Sequence, residues 1–261
     1  MVGKVESYIL DRISKEGAIH MTLIDPDKTD PKEAARIAKD AESAGTSAIM
    51  VGGSLGVSEA MTDELIREVK KCVKIPIILF PGSVSGVSKY ADAIWFLSVL
   101  NSKNTYYLIG AQVQGAVIVK KYGLESIPLA YLILGDGGAV ALVSEATPLP
   151  FSRPDLIAAY ALAAEMLGFR FVYLEGGSGG LPVPPKVIMY VRKTISIPIV
   201  VGGGIKNYEL ARKATMAGAD IIVTGTIVEE TEDVKSAISN IVKGIKDGAT
   251  MRASIKDYSK S

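Results

Sequence analysis

Residues 198–226 read PIVVGGGIKNYELARKATMAGADIIVTGT. Two β-branched runs, each ending in glycine, flank a segment with the periodicity of an amphipathic helix. A buried strand, a glycine turn, a helix and a second buried strand in this order are what a parallel sheet wrapped by helices requires. The segment therefore predicts one repeat of an α/β architecture.

The same alternation extends over most of the chain and predicts eight strands. The length of 261 residues fits one closed α/β barrel, and no linker or low-complexity tract divides the chain. We therefore expect a (β/α)8 TIM barrel formed by a single domain over residues 1–261. The predicted strands are AIHMTLI (18–24), SAIMVG (47–52), PIILF (76–80), DAIWFLS (92–98), LAYLIL (129–134), RFVYLE (170–175), PIVVGG (198–203) and DIIVTG (220–225).

The segments between the strands are mostly helical, with two irregularities. PKEAARIAKDAESAG (31–45) is typical of a barrel helix, because Pro31 suits a first turn and Gly45 a C-terminal cap. Only PGSVSGVSKYA (81–91) separates the third and fourth strands, so the helix there should be missing or reduced. After the fifth strand, AVALVSEATPLP (139–150) indicates an added strand and loop.

Composition excludes several functions. The net charge is +1, with 29 basic and 28 acidic residues spread along the chain, which argues against a nucleic-acid partner. Cys72 is the only cysteine, so no intramolecular disulfide or cysteine metal cluster can form, and a reducing, cytoplasmic location is expected. Residues 1–16 lack the apolar stretch of a signal peptide, and no apolar run approaches the roughly 20 residues that span a bilayer. Contact with membranes would be limited to transient surface binding through a lipidic substrate.

Glycine clusters follow the last three predicted strands. They are residues 176–180 (GGSGG), 202–204 (GGG) and Gly225, which precedes Thr226. Glycines let backbone N–H groups approach an anion, and barrels of this class commonly bind phosphate on the loops after strands seven and eight. A single cluster is equally compatible with a tight turn, but three at successive strand ends predict a site for a phosphate monoester.

Glu175 is the only carboxylate inside these glycine loops. It is a candidate base or hydroxyl anchor, although a strand-end carboxylate paired with a neighbouring Lys or Arg is the structural alternative. Tyr173, two residues earlier, would line the site or fill the barrel.

The first predicted strand leads into Asp25-Pro26-Asp27-Lys28. Carboxylates at the catalytic face suit Mg²⁺, which binds through one or two carboxylates plus substrate phosphates. Asp25 is the better ligand candidate, because Asp27 would alternatively cap the next helix or form a turn. Ser54, after the second strand, is a candidate for the same metal site or for a diphosphate.

Histidine chemistry is not expected. His20 is the only histidine, and its place inside the first strand favours a core residue, so neither a Ser-His-Asp triad nor a histidine metal cluster can be built. Gly202–Gly204 lacks the context of a nicotinamide-binding fingerprint.

Taken in order, TLIDPDK, VGGS, WFLSVLNS, YLEGGSG, VGGGI and VTGT resemble the motif series of geranylgeranylglyceryl phosphate synthases. The resemblance runs from about residue 18 to residue 226. The chain is most similar to the longer second group of that family, which also contains bacterial heptaprenylglyceryl phosphate synthases, and the reduced barrel helix is similar to the family's modified barrel.

The resemblance implies a prenyltransferase of archaeal ether-lipid biosynthesis, and it implies a homo-oligomer, a dimer or hexamer. Its substrates would be geranylgeranyl diphosphate and the C3 hydroxyl of sn-glycerol 1-phosphate. Mg²⁺ and the diphosphate would be bound by Asp25 and Ser54, while Glu175 would bind the acceptor hydroxyl and accept its proton. Glycerol 1-phosphate would be held by Tyr173, Leu174, Glu175, Gly176, Gly177, Ser178, Gly179, Gly203, Gly204, Gly225 and Thr226.

Other functions stay open on sequence. The C35 donor of heptaprenylglyceryl phosphate synthase is the first alternative. A sugar-phosphate isomerase or lyase, or a non-catalytic phosphate-binding barrel, would use the same loops. Asp25 and the apolar segment formed by Ile94, Trp95, Phe96, Leu97, Val99 and Leu100 argue against an isomerase or lyase, and Asp25 together with Glu175 argues against a non-catalytic barrel. The C20 donor is preferred over the C35 donor on the resemblance alone.

Overall fold

A computed structural model, which describes residues 2–53 and 55–258, shows a closed barrel of eight parallel strands in chain order. The last strand pairs with the first, with Ile19 opposite Ile221. The strands are β1 (Ile19–Ile24), β2 (Ala48–Val51), β3 (Ile77–Leu79), β4 (Ala93–Val99), β5 (Glu125–Ile133), β6 (Phe171–Glu175), β7 (Ile199–Gly202) and β8 (Ile221–Thr224).

Helices separate most of these strands and cover the outside of the barrel. They are α1 (Lys4–Glu16), α2 (Pro31–Ser43), α3 (Glu59–Lys70), α4 (Ala111–Tyr122), α5 (Gly138–Val143), α6 (Pro154–Met166), α7 (Pro185–Thr194), α8 (Tyr208–Ala217), α9 (Thr226–Glu230) and α10 (Val234–Tyr258). The predicted TIM barrel is confirmed, since each expected strand is present. In the described part of the chain, no helix is both long enough and apolar enough to cross a membrane.

Successive side chains along each strand point alternately into and out of the barrel, and this divides the apolar core into an interior and an outer layer. Inward-facing side chains fill the barrel, and the largest are Trp95, Phe171 and Tyr173. Outward-facing side chains pack under the helices. The interior of the barrel is therefore a packed core.

The start of β5 differs from the prediction. The strand begins at Glu125, four residues before the predicted start at Leu129. The Glu125 carboxylate accepts hydrogen bonds from the backbone N–H groups of Val5 and Glu6, both at 2.8 Å, in the first turn of α1. This long-range contact fixes α1 against the barrel, and local sequence does not encode it.

The helix expected to be missing is reduced to a single 3₁₀ turn, Val84–Gly86, between β3 and β4. The prediction of an added strand within residues 139–150 was wrong, because the apolar run forms the short helix α5. Gly137, with φ of +70°, reverses the chain before α5. Only isolated bridges follow, Ser102 with Ala146 and Leu134 with Leu149.

His20 is a core residue, as predicted. Its ring nitrogens lie 2.8 Å from the Thr46 hydroxyl and 2.9 Å from the Thr224 hydroxyl. Burial lowers the pKa of the imidazole to about 3, so the ring is neutral at physiological pH.

Candidate active site

The three glycine loops meet at the carboxyl ends of β6, β7 and β8. Gly203 has a φ of +83° and Gly204 a φ of +71°. A β-carbon at Gly203 would stand 2.6 Å from Oε1 of Glu175 and 2.7 Å from the backbone nitrogen of Gly177. Glycine is thus required at position 203 for both conformation and space, and it lets the β7 loop touch the β6 loop.

A polar pocket lies between these loops. Lys206 is the only cationic side chain among its described lining residues. A pocket of backbone amides, hydroxyls and one lysine suits a phosphate monoester. The predicted residues that line it are Tyr173, Glu175, Ser178, Gly203, Gly204, Gly225 and Thr226.

Other members of the predicted set lie outside the pocket lining. The side chain of Leu174 packs in the outer core, away from the pocket. Gly176 and Gly177 are buried in the loop that supports the pocket, and Gly179 is exposed at its tip.

Glu175 is buried, with 6% of its surface exposed. Oε1 accepts the Gly177 N–H at 2.7 Å, and Oε2 accepts the Tyr131 hydroxyl at 2.9 Å. In the described part of the chain, no Lys or Arg forms an ion pair with this carboxylate, so the paired-carboxylate alternative fails. Burial raises the pKa of Glu175 above its usual value, and these hydrogen bonds only partly oppose the shift.

Tyr131, which sequence reasoning did not single out, forms part of an aromatic floor beneath Glu175. It lies opposite Tyr173 in the β5–β6 register, and the two rings meet edge to face with centroids 5.0 Å apart. Phe80 stacks on Tyr173 at 5.4 Å. The alternation of inward-facing residues along β5 was the available signal for Tyr131. Tyr173 both fills the barrel and lines the pocket, so its two predicted roles coexist.

Asp25 follows β1, the strand that pairs with β8, and it therefore lies beside the β8 loop at the rim. Its Oδ1 accepts the Asp27 N–H at 3.0 Å, and a β-carbon at Gly53 would overlap its carboxylate. Desolvation raises the pKa of Asp25, while the Asp27 N–H and the Lys28 charge oppose that shift. Asp27 lies in a turn after β1, which was one of the alternatives predicted for it. It does not cap α2, because the cap is Asp30, which accepts hydrogen bonds from the backbone N–H groups of Lys32 and Glu33.

The metal prediction rests on Asp25, because Ser54 lies outside the described residues. Within those residues, no group of three or more His, Cys, Asp or Glu side chains is arranged to hold a metal ion. Mg²⁺ that keeps several waters and binds substrate phosphates needs only one or two protein carboxylates. Gly53 packs directly against the Asp25 carboxylate, and both residues line a cavity of about 360 Å³ that has room for such a hydrated ion, so the residues present fit it.

One cavity of about 360 Å³ connects the two ends of the site, with Asp25 and Glu175 both in its wall. Ser178, Gly225 and Thr226 belong to this cavity and also to the polar pocket. An anion at each end would therefore lie in one continuous space.

An apolar groove adjoins this cavity beside the shortened connection between β3 and β4. The two spaces share Pro81, Gly82, Leu97 and Tyr107. A β-carbon at Gly115 on the far wall would meet no atom within 4 Å. Of the residues predicted to contact a tail, Ile94, Trp95, Phe96 and Leu97 line the groove, Val99 lines the cavity, and Leu100 packs in the outer core.

Comparison with known proteins agrees with this geometry. The PcrB family model matches residues 11–245. Geranylgeranylglyceryl phosphate synthase of Thermofilum pendens is 60% identical over 97% of this chain and 99% of its own, and the enzyme of the same name from Pyrococcus abyssi is 49% identical over 94% and 99%. The crystal structure of (S)-3-O-geranylgeranylglyceryl phosphate synthase from Thermoplasma acidophilum, in complex with its substrate sn-glycerol-1-phosphate, is 42% identical and superposes with a TM-score of 0.90, covering 95% of this chain and 100% of that one. The chain belongs to the PcrB family and, within it, to the geranylgeranylglyceryl phosphate synthases.

Proposed function

We propose that the protein transfers a geranylgeranyl group from geranylgeranyl diphosphate to the C3 hydroxyl of sn-glycerol 1-phosphate. The observation that carries this proposal is the single cavity that has a polar phosphate pocket at one end, a carboxylate at the other and an apolar groove at its side. A phosphate monoester, a metal-bound diphosphate and a hydrocarbon tail each have a matching surface. The named relatives support the C20 donor over the C35 donor.

The acceptor would occupy the pocket formed by the loops after β6, β7 and β8. Its phosphate would receive hydrogen bonds from the glycine-loop amides, the Thr226 hydroxyl and the Lys206 ammonium. A carboxylate offers about four acceptor sites, and two of those on Glu175 are used by Gly177 and Tyr131. The remaining capacity of Glu175 would bind the acceptor hydroxyl.

The donor would place its diphosphate at the Asp25 end and its tail in the groove. We propose that Asp25, with Ser54 by family resemblance, holds Mg²⁺, whose chemistry is to neutralise the charge that develops on the departing diphosphate. The tail would follow Leu97 and Phe96 away from the cavity, where burial of apolar surface favours binding.

Transfer forms a bond between C1 of the prenyl group and O3 of glycerol 1-phosphate and breaks the C1–O bond to diphosphate. The hydroxyl proton passes to Glu175. Because burial raises the pKa of Glu175, this carboxylate is a stronger base than an exposed glutamate. Diphosphate departs readily from an allylic carbon, so the principal tasks of the residues are to position the hydroxyl and exclude water.

A homo-oligomer is part of the proposal. Ile109, Val113 and Val117 are each more than 60% exposed and follow one another at four-residue spacing before and along α4. A second copy of the chain would cover this apolar stripe, and Val113→Glu should shift the sedimentation coefficient toward that of the monomer.

The reaction is tested by incubating purified protein with Mg²⁺, sn-glycerol 1-phosphate and labelled prenyl diphosphates, followed by extraction of lipid-soluble phosphate. We expect product with geranylgeranyl diphosphate and much less with the C35 donor. sn-Glycerol 3-phosphate is the matched acceptor control, and absence of product with every donor would refute transferase activity.

A further inference from the structure

The two lysines that line the site are both paired with adjacent glutamates of α9. Lys28 Nζ lies 3.1 Å from Oε2 of Glu229, and Lys206 Nζ lies 4.0 Å from Oε2 of Glu230. Lys28 is the only described cation in the lining of the large cavity, and Lys206 is the only one in that of the phosphate pocket. Each cation that could meet a substrate anion thus has an internal carboxylate partner.

The Lys28–Glu229 pair spans the seam where β8 closes the barrel against β1. Lys28 belongs to the loop after β1, and Glu229 to the short helix that follows β8. Both side chains line the cavity that contains Asp25. A diphosphate bound at Asp25 would therefore lie beside a cation that Glu229 already engages.

This ion pair is weak enough to exchange. The Lys28 side chain is 55% exposed and that of Glu229 is 24% exposed, and solvent-exposed pairs contribute little free energy because water screens them. A diphosphate carries more negative charge than one carboxylate and forms charge-assisted hydrogen bonds with an ammonium. Lys28 can then change partner without a large rearrangement of the backbone.

We propose that Lys28 binds the diphosphate of the donor and that Glu229 competes with diphosphate for Lys28, so that recapture of the lysine promotes release of the product diphosphate. This inference rests on the proposed function. It gives Lys28 and Glu229 opposite effects on the same ligand: the lysine retains diphosphate, and the glutamate helps to expel it.

Inorganic diphosphate binding, measured by titration calorimetry in excess Mg²⁺, tests the proposal without turnover. Lys28→Met should weaken binding about tenfold or more, the usual effect of losing a charge-assisted hydrogen bond. Glu229→Gln should tighten binding about two- to fivefold and make diphosphate a stronger product inhibitor. Glu232→Gln removes one negative charge from an exposed residue after α9, and it should leave diphosphate binding unchanged.

The double variant separates competition for Lys28 from a general effect of charge. If Glu229 acts through Lys28, Glu229→Gln should have no effect on diphosphate binding in the Lys28→Met background. Tightening that persists there, or normal diphosphate affinity in Lys28→Met, would overturn the proposal. If the variants give either result while the wild-type protein still forms prenylated product, the transferase assignment stays intact, so the two failures can be told apart.

Discussion

The hydroxyl of Tyr131 on β5 donates a hydrogen bond of 2.9 Å to Oε2 of Glu175, the last residue of β6. The bond favours the ionised carboxylate, whose pKa burial raises. It connects the aromatic floor of the cavity to the proposed base, and it makes the pH dependence of the reaction a test of the site.

Tyr131→Phe should move the acid limb of the activity profile to higher pH. Loss of the hydrogen bond removes an interaction that lowers the pKa of Glu175, so more alkaline solution is needed to ionise the base. We expect kcat/KM for glycerol 1-phosphate to fall about tenfold near pH 6, in line with one lost hydrogen bond to a charge. Tyr122→Phe is the matched control, because Tyr122 donates to Glu59 at 2.6 Å on the surface, and its profile should equal that of the wild type.

Gly203→Ala should impair acceptor binding beyond its cost in stability. The new methyl group would meet Glu175 and the Gly177 nitrogen. Gly123→Ala is the control, because Gly123 has a φ of +69° and open space around a β-carbon. Gly123→Ala should lose about 1 kcal/mol of unfolding free energy for its left-handed conformation. Gly203→Ala should lose more because of the overlap, and only this variant should raise the KM for glycerol 1-phosphate about tenfold. Equal KM values would contradict the proposed pocket.

Asp25→Asn should lower turnover at least about a hundredfold without lowering the melting temperature of the protein. Desolvation already disfavours the charged form of Asp25, so a neutral side chain of the same shape does not destabilise the fold. Turnover measured against Mg²⁺ concentration should show no recovery at high Mg²⁺ in the variant. In the wild type, a chelator should stop turnover, and added Mg²⁺ should restore it. An unchanged Mg²⁺ dependence in Asp25→Asn would place the metal elsewhere.

Gly115→Leu should shift the preference of the enzyme toward donors with shorter prenyl chains. A leucine side chain at this position would enter the groove, where a β-carbon meets nothing within 4 Å. We expect the KM for geranylgeranyl diphosphate to rise about tenfold, with a smaller rise for the C15 donor, as steady-state kinetics would show. Gly115→Ala should keep the donor preference and stabilise α4 by about 1 kcal/mol. Equal effects on both donors would mean that the tail lies elsewhere.

His20 should make the fold sensitive to acid. Its pKa in the folded protein is about 3, against an ordinary value of 6.5, so below pH 6.5 the unfolded chain takes up a proton that the folded chain excludes. Stability should therefore fall as the pH drops from 6.5 toward 3, by about 2 kcal/mol between pH 6.5 and 4.5 from this group alone. Urea unfolding at both pH values should show a smaller difference for His20→Gln, whatever its absolute stability.

Strand positions were predictable because burial and chain direction impose a local pattern, as in IIVT at β8 and IVVG at β7. The glycine loops were predictable for a similar reason, because a left-handed backbone, as at Gly203 with φ of +83°, is a local requirement that favours glycine. Helix α5 was missed because a short apolar run satisfies a strand or a helix equally well, and here the tertiary environment decides. Glu125 was missed as a cap of α1 because its partners lie about 120 residues away.

Within the site, Asp25 and Glu175 were accessible from sequence because each directly follows or ends a strand. Tyr131 was not, since its hydroxyl reaches Glu175 only after two neighbouring strands pair in register. The pairing of Lys28 with Glu229 depends on barrel closure, which brings together residues about 200 positions apart.

The reduced connection at Val84–Gly86 alters what limits the size of a ligand. A barrel screened by helices on every side admits molecules only at its rim, so the ligand can be no larger than the space its loops enclose. With one helix reduced to a single turn, the size of the ligand is limited by the length of the apolar groove that runs outward along the barrel wall. A barrel that binds compact phosphates can thereby select linear hydrocarbons by their length. The length that it accepts can change through this one short connection, without any change in the eight strands.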